Sequence, residues 1–361
     1  MSFLDVRDLH VTYPGAGGGV PAVRGVSLSV DRGEKLGLAG ESGCGKSTVA
    51  LSLLRLLPAG VDISGEIRLG GEDVLAMRWG QLRAVRWVQA SVVFQGAMHS
   101  LNPVQRVGDQ IVEPILLHEQ ATRGQAEKRA RELLSDVGLP ASRARAYPHE
   151  LSGGQRQRVM IAMALACRPD LIIADEPTTA LDVMIQAQIL RLIEQLVAEQ
   201  GIAMVMISHD LSVLAATCDR LAVMYAGRIV EEGPADAVFR GGRHPYSSAL
   251  SGAFPLIGDA SSRLSPRGLP GDPPDPADLP TGCTFHPRCP VALDHCRELD
   301  PRLWTAGEEW EAACVRVLAD QGESLVPDGS RAAPPNSDPH DRGRSSAPGE
   351  AVRGEKEASD D

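Results

Sequence analysis

The stretch Gly40-Glu41-Ser42-Gly43-Cys44-Gly45-Lys46-Ser47-Thr48 decides how this chain is read. It fits G-x-x-x-x-G-K-[ST], a phosphate-binding loop. Glycines let successive backbone N–H groups turn inward on a phosphate with no Cβ in the way. Lys46 brings a positive charge to the β- and γ-phosphates of a nucleoside triphosphate, and the Ser47 hydroxyl is placed for Mg²⁺. After the loop, Val49, Leu51, Leu53, Leu54 and Leu57 predict a helix whose positive end faces the anion. Before it, the short apolar run Lys35-Leu36-Gly37-Leu38-Ala39 predicts the buried strand that feeds the loop. By chance, roughly one chain in a hundred of this length carries such a pattern. The flanking strand and helix lower that further.

Composition narrows the class. The 361 residues allow one large domain or a few small ones, and 43% hydrophobic content permits a large core. Aromatics at 4% disfavour a base-stacking surface, and a net charge of −11 argues against nucleic acid or anionic lipid as a partner. No apolar run reaches the roughly 20 residues of a membrane span. The N-terminus lacks the basic-then-apolar pattern of a secretory leader, so a cytoplasmic chain is expected unless a membrane partner holds it. Seven cysteines, an odd number, fit free thiols in a reducing compartment.

Outward from the loop, residues 3–12 and 22–30 alternate apolar and polar and predict antiparallel edge strands. Tyr13 lies between them, either as a partly buried core aromatic or as a ring for a purine base. Residues 63–69 predict another strand, and 78–88 a short basic helix with a solvated face. Ser91-Val92-Val93-Phe94 predicts a buried strand ending on Gln95. An amphipathic helical stretch follows to about 150, an insert within an α/β domain. Leu151-Ser152-Gly153-Gly154-Gln155 opens a helix over 156–167. Leu171-Ile172-Ile173-Ala174 then leads to Asp175-Glu176, helix 183–200, strand 203–207 ending at Ser208-His209, and strand 221–225. Strands alternating with helices predict a mainly parallel sheet with ligands at the carboxyl ends of its strands. Beyond about 258 the chain turns Pro-rich. A Cys-bearing segment follows over 283–314, and from 320 a polar tail is expected to be disordered.

Asp175-Glu176 adds mechanism to the phosphate loop. An acid at a strand end can bind Mg²⁺, and the next carboxylate can orient or deprotonate a water. Ser152, Gly153 and Gly154 at a helix start make a second anion site, which has a use if it completes another subunit's nucleotide site.

With these motifs the chain resembles the ATP-binding-cassette ATPases. The resemblance covers about residues 3–255. It makes Tyr13 the base platform, Gly40, Glu41, Ser42, Gly43, Cys44, Gly45, Lys46, Ser47 and Thr48 the Walker A loop, and Gln95 the Q-loop. Leu151–Gln155 becomes the signature, with Ser152, Gly153, Gly154 and Gln155 facing nucleotide. Asp175 and Glu176 become Walker B with the catalytic glutamate, Ala180-Leu181-Asp182 the D-loop, and His209 the switch histidine. Ser47, Gln95 and Asp175 are the implied Mg²⁺ residues, and Glu176, His209 and Gln95 the catalytic ones. The implied fold is an α/β P-loop nucleotide-binding domain over 1–258, with an antiparallel β edge subdomain and a helical insert at about 96–168. A Pro-rich linker and small Cys-rich extension (259–319) and the tail (320–361) follow. Repair cassettes carry a long coiled coil between Walker A and signature, whereas here about a hundred residues stand there. Translation types usually carry two cassettes.

A narrower resemblance is to the oligopeptide/dipeptide permease ATP-binding subunits. It rests on Val93-Phe94-Gln95 with Ser100-Leu101-Asn102-Pro103, on His244-Pro245-Tyr246, and on Gly282-Cys283-Thr284-Phe285-His286-Pro287-Arg288-Cys289. Gly96-Ala97 departs from the acidic residue and proline usual there. The resemblance implies an ATPase for peptide import at the cytoplasmic face of a membrane. Its partners would be a second ATPase subunit in a heterodimer, two integral membrane permease subunits and, indirectly, an extracytoplasmic peptide-binding protein. Nickel chelates or glutathione are alternative cargoes, and a soluble non-transport ATPase is the rival class.

Cys283, Cys289, Cys296 and Cys314 are spaced Cys-x5-Cys-x6-Cys-x17-Cys. Spacing alone leaves open unligated thiols, disulfides, a zinc site with His286 or His295, and an iron–sulfur cluster. The family resemblance implies a [4Fe–4S] cluster, with zinc as the alternative, acting as a structural staple for a segment too small to bury its own core.

Overall fold

Apolar patterning sorts the strands into two sheets. The computed structural model describes residues 2–15, 18–95, 100–179, 181–253 and 269–320. Gly96-Ala97, Ala180, the first part of the linker and the tail beyond Asp320 lie outside it. In chain order the elements begin with β1 (Leu4–Tyr13), β2 (Val20–Val30), β3 (Lys35–Ala39), α1 (Lys46–Ser52), β4 (Asp62–Leu69), β5 (Glu72–Asp73), α2 (Trp79–Val85) and β6 (Ala90–Val93). The middle holds α3 (Val107–His118), α4 (Arg123–Asp136), α5 (Gly153–Ala164), β7 (Leu171–Asp175), α6 (Val183–Gln200), β8 (Ala203–Ser208) and α7 (Leu211–Thr217). The end holds β9 (Arg220–Tyr225), β10 (Arg228–Pro234), α8 (Ala235–Gly241), α9 (Pro245–Gly252), β11 (Trp304–Gly307), β12 (Trp310–Ala312) and α10 (Val315–Asp320).

The antiparallel sheet runs β2-β1-β4-β5. In β1 the buried set is Leu4, Val6, Leu9 and Val11, so the two-residue alternation slips once. A register shift between Val6 and Leu9, with Asp8 at φ 47°, accounts for the slip. The larger sheet runs β11-β12-β10-β9-β3-β8-β7-β6. Strand β3 pairs in parallel with both β8 and β9, and β7 with both β6 and β8. These strands are buried almost throughout, as their continuous apolar runs require. Residues just past the carboxyl ends of β3, β6, β7 and β8 include Gly40, Gln95, Glu176 and His209, which brings the predicted motifs to one rim of the sheet.

Helix boundaries differ from the sequence reading at several places: the helix read over 78–88 is α2, Trp79–Val85, and that read over 156–167 ends at Ala164. Helix α1 stops at Ser52 although apolar residues continue to Leu57. The stop is a Schellman-type turn. Arg55 takes φ 49°, its N–H bonds the Ser52 carbonyl, and the Leu56 N–H reaches back to Leu51. Glycine usually fills that position, so the sequence carried no stop signal. Helix α5 begins at Gly153 rather than Arg156, because Ser152 caps it.

The Cys-bearing segment is more closely joined to the rest than a separate staple would be. Strand β12 pairs with β10, extending the main sheet. Phe285 is 1% exposed and lies in the main core, with its ring 5.2 Å from Tyr225, 5.3 Å from Tyr246 and 5.7 Å from His244. Sequence separation hid this, since a single aromatic in a Pro-rich context gives no periodicity.

His244 is the N-cap of α9, and its Nδ1 accepts the Tyr246 N–H at 3.1 Å. Burial pushes its pKa down to about 3, so the folded ring is neutral at pH values where the unfolded ring, near 6.5, is charged. The unfolded chain therefore binds the extra proton, and stability falls as pH falls below the unfolded value. Between about pH 6.5 and about pH 4.5 the wild-type melting temperature should drop more steeply than that of His244→Asn, which keeps a capping oxygen without the titration. Thermal melts of the two proteins across that range check this.

Candidate active site

The phosphate loop links β3 to α1, and close packing dictates its glycines. Gly40 has φ 150°, and a Cβ there would stand 2.3 Å from the Met224 carbonyl oxygen. Gly45 has φ 106°, and a Cβ there would stand 2.4 Å from the Ala22 carbonyl oxygen. The loop is thus pressed against β9 on one side and β2 on the other. Lys46 is 6% exposed. Its Nζ donates to the carbonyls of Gly40 at 2.7 Å and Glu41 at 2.8 Å, with Cys44 Sγ at 3.7 Å. The ammonium is folded back over the mouth of its own loop. Burial pushes the Cys44 thiol up, with Lys46 opposing.

Ser47, the next residue, donates its hydroxyl to Asp175 Oδ1 at 3.2 Å. This brings the second half of the loop to the end of β7. Burial pushes the Asp175 carboxyl up, the Ser47 bond opposes that, and the Glu176 charge reinforces it. A divalent cation at that oxygen would reverse the push.

Glu176 takes φ 43°, an unusual conformation for a residue with a side chain. Its N–H bonds the Ile207 carbonyl at 3.0 Å, which fixes the turn to β8. Three side chains meet its carboxylate. Gln95 Nε2 donates to Oε2 at 2.7 Å, Thr179 Oγ1 donates to the same oxygen at 2.8 Å, and His209 Nδ1 stands 3.4 Å from Oε1. The Glu176 side chain is 17% exposed and that of His209 63% exposed, so the cluster opens to solvent on the histidine side. Three motifs separated by tens of residues in sequence therefore converge on one carboxyl group.

The remaining predicted residues fall at two other places. Tyr13 Oη lies 3.3 Å from Thr48 Oγ1, tying the end of β1 to α1. Ser152 and Gln155 form a capping box at the start of α5: the Gln155 N–H donates to Ser152 Oγ at 3.3 Å, and the Ser152 N–H to Gln155 Oε1 at 3.1 Å. A Cβ on Gly154 would stand 2.7 Å from Ile185 Cγ2, so this glycine lets α5 approach α6 closely. Asp182 caps α6 through the Ile185 N–H at 3.0 Å. Ser152 to Gln155 thus open a helix of the insert, on a different element from the loop around Lys46.

Sequence reasoning missed three contributors. Thr179 lies three residues past Glu176 with no motif of its own in that reading. Tyr246 and Arg288 both reach Glu41 in the phosphate loop, Tyr246 Oη by accepting its N–H at 2.9 Å and Arg288 by a two-point ion pair. Arg288 stands 247 residues from Glu41, and no spacing argument could join them.

The four cysteines of the extension line one small cavity of about 20 Å³, together with Phe285 and His286. All four are free. Burial pushes Cys283 up to about 12, the backbone N–H of Phe285 opposes that, and the three neighbouring thiols reinforce it. Among the described residues, no three His, Cys, Asp or Glu side chains form a group that could hold a metal ion.

Comparison with known proteins agrees with this geometry. Residues 23–179 match the ABC transporter family model, and residues 230–296 match the C-terminal region of oligopeptide/dipeptide transporters. The oligopeptide transport ATP-binding protein OppD of Escherichia coli is 46% identical over 328 residues, spanning 90% of this chain and 95% of that one. A probable peptide ABC transporter ATP-binding protein of Sinorhizobium fredii is 47% identical over 317 residues, spanning 87% and 94%. Among solved structures, the ATP-binding cassette MJ0796, captured as a dimer with ADP and phosphate, is 28% identical with a TM-score of 0.58. The match covers 64% of this chain and 98% of that one. This chain belongs to the ATP-hydrolysing cassettes of the ABC transporter family, in its oligopeptide/dipeptide branch.

Proposed function

We propose that this chain is the ATPase subunit of an importer for di- or oligopeptides, held at the cytoplasmic face of a membrane by separate permease subunits. The match of residues 230–296 to the oligopeptide/dipeptide transporter region carries the peptide assignment. No helix among the described residues is long and apolar enough to cross a membrane, and we assign the translocation path to the separate permease subunits. Delivery of peptide falls to an extracytoplasmic binding protein, and the second cassette is a related but different subunit. The cassette occupies about the first 258 residues, the linker and Cys-rich extension run to 319, and the tail is an appendage.

The loop fits a triphosphate. Its inward-turned backbone has no room for side chains at Gly40 and Gly45, and Lys46 presents an ammonium at its mouth. Backbone N–H groups over Gly43–Thr48 and Lys46 hold the β- and γ-phosphates, Tyr13 carries the base, and Glu41, Ser42 and Cys44 shape the loop. Ser47, Asp175 and Gln95 would hold Mg²⁺, which neutralises charge on the phosphate oxygens. Glu176 accepts the proton of the attacking water at Oε1, because Oε2 is engaged by Gln95 and Thr179. His209, exposed beside Oε1, meets the γ-phosphate. Ser152, Gly153, Gly154 and Gln155 face the nucleotide of the opposite cassette, and Asp182 lies at the same junction. Opening and closing of this sandwich drives the permease.

A [4Fe–4S] cluster on Cys283, Cys289, Cys296 and Cys314, with zinc as the alternative, is the group we assign to the extension, because the four thiols line one shared space. Such a cluster would cross-link the extension internally. Protein purified without oxygen should be brown with about four irons per chain. Colourless protein with stoichiometric zinc overturns the cluster in favour of zinc.

Affinity isolation of the chain from detergent-solubilised membranes should bring an integral membrane subunit and a second cassette, and peptide uptake should fail in cells lacking it. Arrival of neither subunit overturns the importer reading. Glu176→Gln should still bind ATP but hydrolyse it about 10²–10⁴ times more slowly in a steady-state phosphate-release assay.

A further inference from the structure

Glu41 is held at every polar group it has. Its N–H donates to Tyr246 Oη at 2.9 Å, and its carbonyl accepts Lys46 Nζ at 2.8 Å. Its carboxylate takes two parallel bonds from Arg288, Nη1 to Oε2 at 2.6 Å and Nη2 to Oε1 at 2.9 Å. Arg288 is itself fixed. It is 8% exposed, its Nε donates to the Pro270 carbonyl at 2.8 Å, and Nη1 lies 3.4 Å from Tyr225 Oη. Tyr225 and Tyr246 pack on each other at 4.7 Å and on Phe285 of the extension.

We propose that Arg288 is a positioning residue for Lys46, acting through Glu41. A planar fork on a carboxylate fixes orientation as well as charge, which a lysine at 288 would not reproduce. With the side chain clamped and the N–H bonded, the Glu41 carbonyl has one direction. That carbonyl, with the Gly40 carbonyl, sets where the Lys46 ammonium waits. The clamp also occupies a negative charge. A carboxylate released one peptide unit from the carbonyl that holds Lys46 would compete with phosphate for that ammonium. The C-terminal extension thereby tunes nucleotide affinity from outside the recognised nucleotide motifs. Arg288 precedes Cys289, so the clamp and the thiol-lined cavity share one turn of chain, and the inference needs no occupant in that cavity.

The inference rests on the reading of Lys46 as the phosphate-binding cation, and the test separates the two. Binding of trinitrophenyl-ATP with Mg²⁺ is measured on the full chain as wild type, R288Q, R288K, R288Q/E41Q and K46A, with thermal melts of each without nucleotide. R288Q should raise Kd about tenfold, the scale of one lost charge-assisted hydrogen bond. R288K should fall between R288Q and wild type, and in ATP hydrolysis R288Q should raise KM more than it lowers kcat. R288Q/E41Q should recover most of the lost affinity, because it removes the freed charge, a rescue that general damage to the fold does not give. Unchanged Kd in R288Q, or a double variant no tighter than R288Q, overturns the clamp. If R288Q fails to fold, R288K with wild-type Kd overturns it. Loss of affinity in K46A alongside wild-type binding in R288Q removes only the clamp. Wild-type affinity in K46A removes the phosphate-loop reading and the clamp with it.

Discussion

The structure depends on a loop with no room for side chains. At Gly40 and Gly45 the backbone passes so close to the Met224 and Ala22 carbonyls that a methyl group would overlap them. This close approach locks three strands to the loop: β3 feeds it, β9 lies against its first glycine and β2 against its last. Gly227, also left-handed at φ 81°, donates its N–H to the Cys44 carbonyl at 3.0 Å and completes the enclosure. A backbone enclosed this way is fixed in place by its neighbours, and fixed dipoles are the ones that act strongly on charge.

Much of this was legible in the chain itself. The buried parallel strands read directly as apolar runs, the carboxylates at the end of β7 followed from their place past such a run, and the histidine took its role only from the family resemblance. The bonds from Gln95, Thr179 and His209 to Glu176 were not readable as distances, though two of the three residues were named from their motifs. Other features left no trace. Arg55 ends α1 in a conformation that glycine usually marks. Strands β11 and β12 are four and three residues long, too short for alternation to register. Glu41 filled a variable position of the loop motif, so nothing in the pattern hinted that its side chain would meet an arginine from the far end of the chain.

The helix caps show how local chemistry and the site share residues. Ser152 and Asp182 each satisfy backbone N–H groups at a helix start, which accounts for their residue types without any ligand. Ser152 itself stays exposed while it caps α5. A residue type at a helix start can therefore be set by the cap alone, and its identity does not by itself reveal a second demand.

The attachment of β12 to β10 has a consequence for how the polypeptide can be handled and shortened. Without residues 304–312, β10 would present an open row of backbone donors and acceptors, a template for association between molecules. Its Glu231 would also lose the Trp310 indole that bonds its buried carboxylate at 2.7 Å. Gly233 lies where a Cβ would strike the Trp310 ring at 2.7 Å, so the indole seals that strand on its face as well as along its edge. A cassette trimmed at the point where the best-known nucleotide motifs end would thus expose a sticky seam beside an acid left with only the Arg243 and His244 N–H groups and Ser247, and the short carboxyl-terminal hairpin serves as a selvedge that keeps the sheet from unravelling into its neighbours.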